Sequence, residues 1–425
     1  MKPVRAAPAG ERGSQLYPGA AKSILHSDNT RNALFDLALL SGLLFLSLEC
    51  TQVGGAQLNQ FWALIVFALL LVGRRVHVMG REVLAYFLFL GVAVWLTLFA
   101  GYPHIKEIEQ IIKFALVYPV FYLVGRQLGR HYLENPLPYG YVILIGFFLF
   151  QIALQKLDIP YVYKEVEFMQ DAIHGSFLER NWFALFFFGA SYMLFLQSER
   201  KPFDVSILLA FGVANALISE SKTVLIPCGI VLLTQLKGYN SIKLLLLALG
   251  GGLYYWRFGG ELSGDMLNVR LEEERGLAFT ISTGLIAQDW LGHGFGFVES
   301  FFSTSVVSVK GLGAGTNSVF SSPLDLMLIA GIPGLIMWMV FFCGLGLGWA
   351  TVICLAPIAA WSISNPLHQN ETAYFLLGYL VSWGRDGTFI AARAVRSVRS
   401  QVGRFVSPVR VRPRAQSVRV HGEPT

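Results

Sequence analysis

The sequence predicts an all-α polytopic membrane protein of about twelve transmembrane helices with one long extramembrane loop. Three observations predict it. Apolar blocks of near-spanning length recur from Ala33 to Gly384, and a bilayer core of ~30 Å needs about 20 apolar residues per helix. The blocks are apolar throughout and do not alternate with period two, which favours helices over a closed barrel. Those are the two structures that satisfy their own backbone in hydrocarbon. The chain is 54% hydrophobic and 14% charged, with mean hydropathy +0.54, whereas soluble domains carry roughly 25% charged residues.

Residues 1–32 are polar and lack an apolar core, so they read as a disordered basic tail and not as a cleavable signal peptide. Residues 33–255 hold helices one to nine, beginning near Ala33, Gly55, Val83, Ile108, Tyr139, Asn181, Val205, Thr223 and Leu244. Span eight is short. The stretch from Trp256 to Ser322 is the long loop and is expected to carry short amphipathic helices. Residues 323–385 hold helices ten to twelve, beginning near Leu324, Trp349 and Ala373, the last one weakly apolar. Residues 386–425 form a second basic tail.

Positive residues orient the spans. Arg74, Arg75 and Arg81, then Arg126 and Arg130, then Arg200 and Lys201, then Lys237 and Lys243 all fall on one side of an alternating topology. Both termini share that side and are therefore expected in the cytoplasm. The trans side receives short turns, a loop from Lys156 to Arg180, and the long loop. The net charge of +6 is concentrated in the C-terminal tail. A basic segment directly after a last membrane helix reads as cytoplasmic orientation and contact with anionic lipid, not as a nucleic-acid arm. Cys50, Cys228, Cys343 and Cys354 lie in or beside apolar blocks without a CxxC pair, which argues against a disulfide or zinc framework.

Four places carry polar chemistry on the trans side. Asn268 to Thr280 holds Arg270, Glu272, Glu273, Glu274 and Arg275 at helical ion-pair spacing. It reads as a salt-bridged surface helix or as a ligand site. Glu220-Ser221-Lys222 occupies the turn between spans seven and eight, where Lys222 snorkels to the interface or binds an anion. Gly292 to Phe297 surrounds His293, and Gly311 to Asn317 is also glycine-rich; flexible turns explain such spacing more simply than phosphate cradling does. The Lys156–Arg180 loop sets Tyr161, Tyr163, Glu165, Glu167, Asp171, His174, Glu179 and Arg180 together, a mixture that suits carbohydrate or an interfacial aromatic belt. HExxH, DxD and paired-cysteine motifs are absent, so no metal or cofactor is indicated.

The order of four of these stretches resembles the O-antigen ligase and Wzy-type polysaccharide polymerase superfamily of bacterial inner membranes. The stretches are Ser176 to Ala184, Ser219 to Lys222, Arg275 to Gly296, and Asn317 with Leu328 to Leu335. The length and the basic tail resemble the xanthan-type exopolysaccharide polymerases within it. The resemblance implies a metal-independent membrane glycosyltransferase that polymerises oligosaccharide repeats carried on undecaprenyl pyrophosphate at the periplasmic face. Its partners would be a flippase, a chain-length regulator, export proteins and membrane lipid. It further implies that Arg275, Arg270 and Lys222 stabilise the departing pyrophosphate, with Asn317 catalytic beside them and Glu220, Arg180, His293 and Tyr163 in substrate binding. The partner of the acceptor hydroxyl stays open among Asn317, His293, Glu220 and a loop carboxylate. Lys222 stands where the family has arginine, so fork-like phosphate contact becomes point-charge contact. The ligases' base histidine has no counterpart near Thr316 and Asn317, which favours a polymerase over a lipid A ligase. A flippase or other transporter would place its charges at mid-membrane, and few are there.

Overall fold

Each predicted apolar block is helical in the computed structural model, with a helix starting within one turn of every expected position. Residues 33–384 are described, except 74–75, 77, 101–104, 134–136, 138, 161, 164–171, 199–201, 236–239, 259–267, 270, 306, 314 and 345–347. Both predicted tails lie outside the described residues.

The helices in chain order are α1 Ala33–Leu46, α2 Leu58–Val72, α3 Gly80–Ala100, α4 Ile105–Ile112, α5 Tyr118–Tyr132, α6 Gly140–Lys156, α7 Arg180–Gln197, α8 Pro202–Ile218, α9 Leu225–Gln235 and α10 Asn240–Phe258. There follow α11 Arg275–Gln288, α12 Phe297–Thr304, α13 Ser322–Phe342, α14 Trp349–Ser362 and α15, residues 371–384. A two-residue antiparallel hairpin, Gln52–Val53 with Ala56–Gln57, joins α1 to α2 through Gly54 and Gly55, both at positive φ. Among the described residues three helices are long and apolar enough to cross a membrane: Gly80–Phe99, Glu107–Tyr132 and Ser322–Phe342. Seven shorter apolar helices accompany them. The expected long loop begins later than Trp256, because α10 runs on to Phe258.

The outward faces are apolar: Leu69, Phe87, Val142 and Leu244 are all exposed, as lipid-facing side chains are. The core is aromatic and centres on α7, buried on every side from Trp182 to Met193. α13 packs on α3, α14 on α9, α8 on α7, and α11 on α13. α5 and α15 meet backbone to backbone. A Cβ on Gly125 would strike the Phe375 carbonyl, and one on Gly378 the Tyr122 carbonyl. Gly125 and Gly129 form the small-xxx-small spacing that lets apolar helices approach this closely.

Two breaks shape the bundle. Pro119 lacks the N–H that a continuous helix would need, and a π turn, Lys113–Val117, absorbs the fault between α4 and α5. α13 is interrupted at Gly331, with φ 71° and ψ −177°, just before Pro333. Proline leaves the Ile329 carbonyl without its helical donor. The segment 290–294 supplies the missing partners: Gly294 N–H to Ile329 O at 2.8 Å, His293 N–H to Leu328 O at 2.7 Å, and Ile332 N–H to Trp290 O at 3.0 Å. Gly292 and Gly331 touch through their backbones, and neither has room for a Cβ.

Polar contacts gather at the two ends of the helices. At one end Glu82 meets Arg126 at 3.3 Å, Tyr132 donates to Asp36, and Gln197 joins Leu137 N–H to Tyr379. At the other end the connections 47–57, 172–180, 219–224, 289–321 and 363–370 bond to one another, with α4 beside them.

The α5–α15 crossing yields a test. Gly378→Leu is expected to cost about 2 kcal/mol or more, because the leucine must push two backbones apart. Thermal unfolding in detergent should show a clear drop in midpoint. Gly250→Leu, on open space in α10, should show none.

Candidate functional site

The N-terminus of α7 begins the site. Glu179 caps the helix and Arg180 is its first residue. Arg180 Nη1 lies 3.5 Å from Glu220 Oε2. Glu220 takes φ 55°, a left-handed conformation that reverses the chain into the 3₁₀ turn Lys222–Val224. The Ser221 hydroxyl donates to Asn181 Oδ1 at 2.8 Å and locks this turn onto α7. Arg275, first in α11, donates from Nη1 to Ser364 O at 3.0 Å, and its guanidinium lies 5.2 Å above the Phe320 ring. Burial pushes the Glu179 carboxyl up, while Arg275 and Arg180 both pull it down. Two arginines from segments about ninety residues apart thus face one carboxylate beside the Lys222 turn.

The segment 363–370 between α14 and α15 holds this cluster in place. Its Asn365 amide donates to Thr223 Oγ1, which also accepts Trp361 Nε1. Asn365 O accepts the Ser322 hydroxyl, and Ser322 Oγ accepts His368 N–H. Gln369 Nε2 donates to Asn317 O at 2.7 Å, and Tyr118 O–H donates to Gln369 O.

His368 is the buried centre of this segment. Its side chain is 1% exposed, and neither ring nitrogen has a hydrogen-bond partner. Asp325 Oδ2 stands 3.8 Å from Nδ1, while Asp325 itself accepts from the Ser318 hydroxyl and Val319 N–H. Burial holds the imidazole down to about 3, so it is neutral at ordinary pH. Two cavities meet at this ring. A polar one of about 110 Å³ is lined by Glu109, Gln110, Lys113, Tyr118, Asn317 and Gln369. An apolar one of about 210 Å³ runs between α13, α14 and α15.

The sequence-predicted residues divide accordingly. Arg275 and Arg180 act on Glu179, Arg180 also meets Glu220, and Lys222 opens the turn beside them. Asn317 lies on the polar cavity, its Oδ1 buried without a partner. His293 sits in the clasp on α13, its ring stacked on Phe297 at 4.0 Å. Burial lowers its basicity, against the opposing pull of Asp289. Tyr163 packs on the His174 ring, in a network that Gln155 ties to His174 and Gly175 N–H. The glycine-rich turn of residues 311–315 gives its Gly315 N–H to the Glu299 carboxylate, so the chain's own anion occupies that amide. Arg270, Tyr161, Glu165, Glu167 and Asp171 lie outside the described residues. No group of His, Cys, Asp and Glu among the described residues is placed to hold a metal ion.

Sequence reasoning missed His368, Asn365, Asp325 and the acids Glu49 and Glu371. Its one available signal was the run Ser362 to Thr372, unusually rich in Asn, His, Gln and Glu for a short connection. Glu49 accepts Asn370 Nδ2 at 3.0 Å and Leu178 N–H, while Gln60 donates to Glu371. Burial first, and Glu371 second, push the Glu49 carboxyl up to about 8 from an ordinary 4.5. The folded state therefore holds a proton that the unfolded state has lost across that window, and stability falls as pH rises through it. Thermal midpoints are expected to drop between about pH 4.5 and about pH 8 in the wild type and to flatten in Glu49→Gln. Equal drops in both would remove Glu49 as the cause.

A scan of known protein families and a search of curated proteins gave no match to this chain.

Proposed function

We propose that the protein is a polymerase of lipid-linked oligosaccharide repeats, acting at the periplasmic face of a bacterial inner membrane on an undecaprenyl-pyrophosphate carrier. In this reading twelve helices cross the membrane, both termini are cytoplasmic, and the end bearing His368 is periplasmic. The alternation of the connections between the two polar ends supports twelve crossings. The positive residues clustered towards the Arg126 end support that orientation.

One observation carries the catalytic reading: a neutral histidine, buried 3.8 Å from the Asp325 side chain, lines both an apolar and a polar cavity, near a cluster of two arginines. Glycosyl transfer from a lipid pyrophosphate has the same needs. The acceptor hydroxyl attacks the anomeric carbon, and the bond from that carbon to the phosphate oxygen breaks. The electron pair leaves with the pyrophosphate, and the hydroxyl proton must go to a base. Arg275, Arg180 and Lys222 are suited to the developing phosphate charge. His368 takes the proton in this reading: burial makes it a weak base before substrate binds, and Asp325, 3.8 Å from Nδ1, is the group that would hold the imidazolium once substrate is bound. Asn317 orients the acceptor. This moves the base from the candidates offered by the sequence to His368, and leaves His293 a structural part of the clasp.

Arg275→Ala is expected to abolish polymer while the protein stays in the membrane at normal level. The loss of one charge-assisted contact at the leaving group costs about 3 kcal/mol, roughly a hundredfold in rate. Arg275→Lys should rescue poorly, because a point charge replaces a fork. Normal polymer from the alanine variant would reduce Arg275 to its structural bond with Ser364.

The cellular test is lipid analysis of a strain lacking the protein. A polymerase defect accumulates single repeats on undecaprenyl pyrophosphate at the periplasmic face and no long polysaccharide. Long polymer still on the carrier would instead indicate a ligase to lipid A. Single repeats facing the cytoplasm would indicate a flippase.

A further inference from the structure

Two energetic costs meet at one contact. Phe320 takes φ 64°, a left-handed conformation that a bulky aromatic residue adopts only under strain. Arg275 is the first residue of α11, so its cation stands at the positive end of the helix dipole. Its guanidinium lies 5.2 Å above the Phe320 ring. The two unfavourable placements are therefore the two sides of a cation–π pair, in which the ring face attracts the charge.

The turn that carries Phe320 is firmly tied. Phe320 N–H donates to Ser318 Oγ at 3.0 Å, and the Ser318 hydroxyl donates to Asp325 Oδ2 at 2.6 Å. Val319 N–H donates to Asp325 Oδ1 at 2.8 Å, and Asp325 N–H donates back to Ser321 O at 2.9 Å. Asp325, in the first turn of α13, thus fixes the residues on both sides of Phe320. Gly311 takes φ 86°, and a Cβ there would press on the ring edge at 3.3 Å. A half-buried phenylalanine needs none of this to cover apolar surface, since an extended backbone would serve without strain. What the left-handed turn adds is the direction of the ring face, under Arg275. A guanidinium whose Nη1 is bonded to Ser364 O and whose plane has a ring beneath it is already ordered, so it loses less entropy on meeting an anion.

We infer that Phe320 is a positioning residue for Arg275: the strained turn presents its ring as the platform that holds the guanidinium ready for an anionic group. The identity of that anion, a pyrophosphate, rests on the polymerase reading.

The test follows the reaction of Arg275 with phenylglyoxal in the full chain in detergent, by mass analysis of the labelled peptides, with Arg180 as internal control. Phe320→Leu keeps an apolar side chain of similar size and removes the π face. It should speed labelling of Arg275 about fivefold and leave Arg180 within about twofold. Phe320→Tyr keeps the face and should label at the wild-type rate. Inorganic pyrophosphate, as the probe, should protect Arg275 in the wild type, and about fivefold more of it should be needed in Phe320→Leu. Phe320→Met takes the place of the leucine variant where leucine lowers the thermal midpoint. Equal labelling of Arg275 in Phe320→Leu and the wild type would overturn the inference. So would a tyrosine variant that labels as fast as the leucine one, or a parallel rise at Arg180, the sign of general loosening. Faster labelling in Phe320→Leu with no protection by pyrophosphate in the wild type would keep the platform and count against the polymerase reading.

Discussion

The eight residues 363–370 between α14 and α15 are the constraint on which the polar end depends. They join two apolar helices, so their backbone and side-chain polar groups must find partners locally or stay unpaired among hydrocarbon. They find them in every neighbouring connection: Ser364 O in Arg275, Asn365 in Thr223 and Ser322, Gln369 in Asn317 and Tyr118, Asn370 in Glu49. The His368 ring and Asn365 Oδ1 are left over. Buried polar atoms without a partner, inside a segment otherwise bonded to its surroundings, mark a place where the fold has left room for something else.

The electrostatics follow from that closure. Arg180 and Arg275 face Glu179 and Glu220, so the cluster is balanced by acids before any ligand arrives. Such a balanced cluster exchanges one anion for another at lower cost than a bare cationic pocket, whose charges would first have to be held apart. Glu49, by contrast, is kept neutral by burial and by its neighbour Glu371. A neutral acid adds no negative charge to this end of the bundle.

The helices were legible in the sequence because each rests on a local property. Apolar length marked every block, and positive residues marked alternate connections. Arg275, Arg180, Glu220 and Lys222 were legible as charges in polar stretches, although nothing local said that they converge. Their convergence is made by Ser364 and Asn365, which bond Arg275 and Thr223 and are distant from both in sequence and ordinary in composition. His368 was hidden for a related reason. The search for a base followed the long loop, where polar residues are abundant, whereas the histidine lies in a short connection whose partners Ser322 and Asp325 are more than forty residues away. Local patterns cannot report burial, and burial is what sets His368 apart from His293. The glycines around His293 carried a true signal with a different meaning: they permit backbone contact with α13, not with phosphate.

The clasp of residues 290–294 on α13 has a consequence for how the protein is made. The chain emerges in order, so the clasp segment is synthesised before the helix whose carbonyls it must satisfy. Until residues 328–332 arrive, the clasp has nothing to hold. Until the clasp closes, α13 carries two unpaired carbonyls and a gap at Gly331, and is a poor candidate to stay in lipid. The helix and the loop therefore mature as a single unit, and the last steps of membrane insertion are also the steps that assemble the site. A quality-control protease that recognises unpaired backbone in a membrane helix would, at this point in the chain, be reading whether the fold is complete.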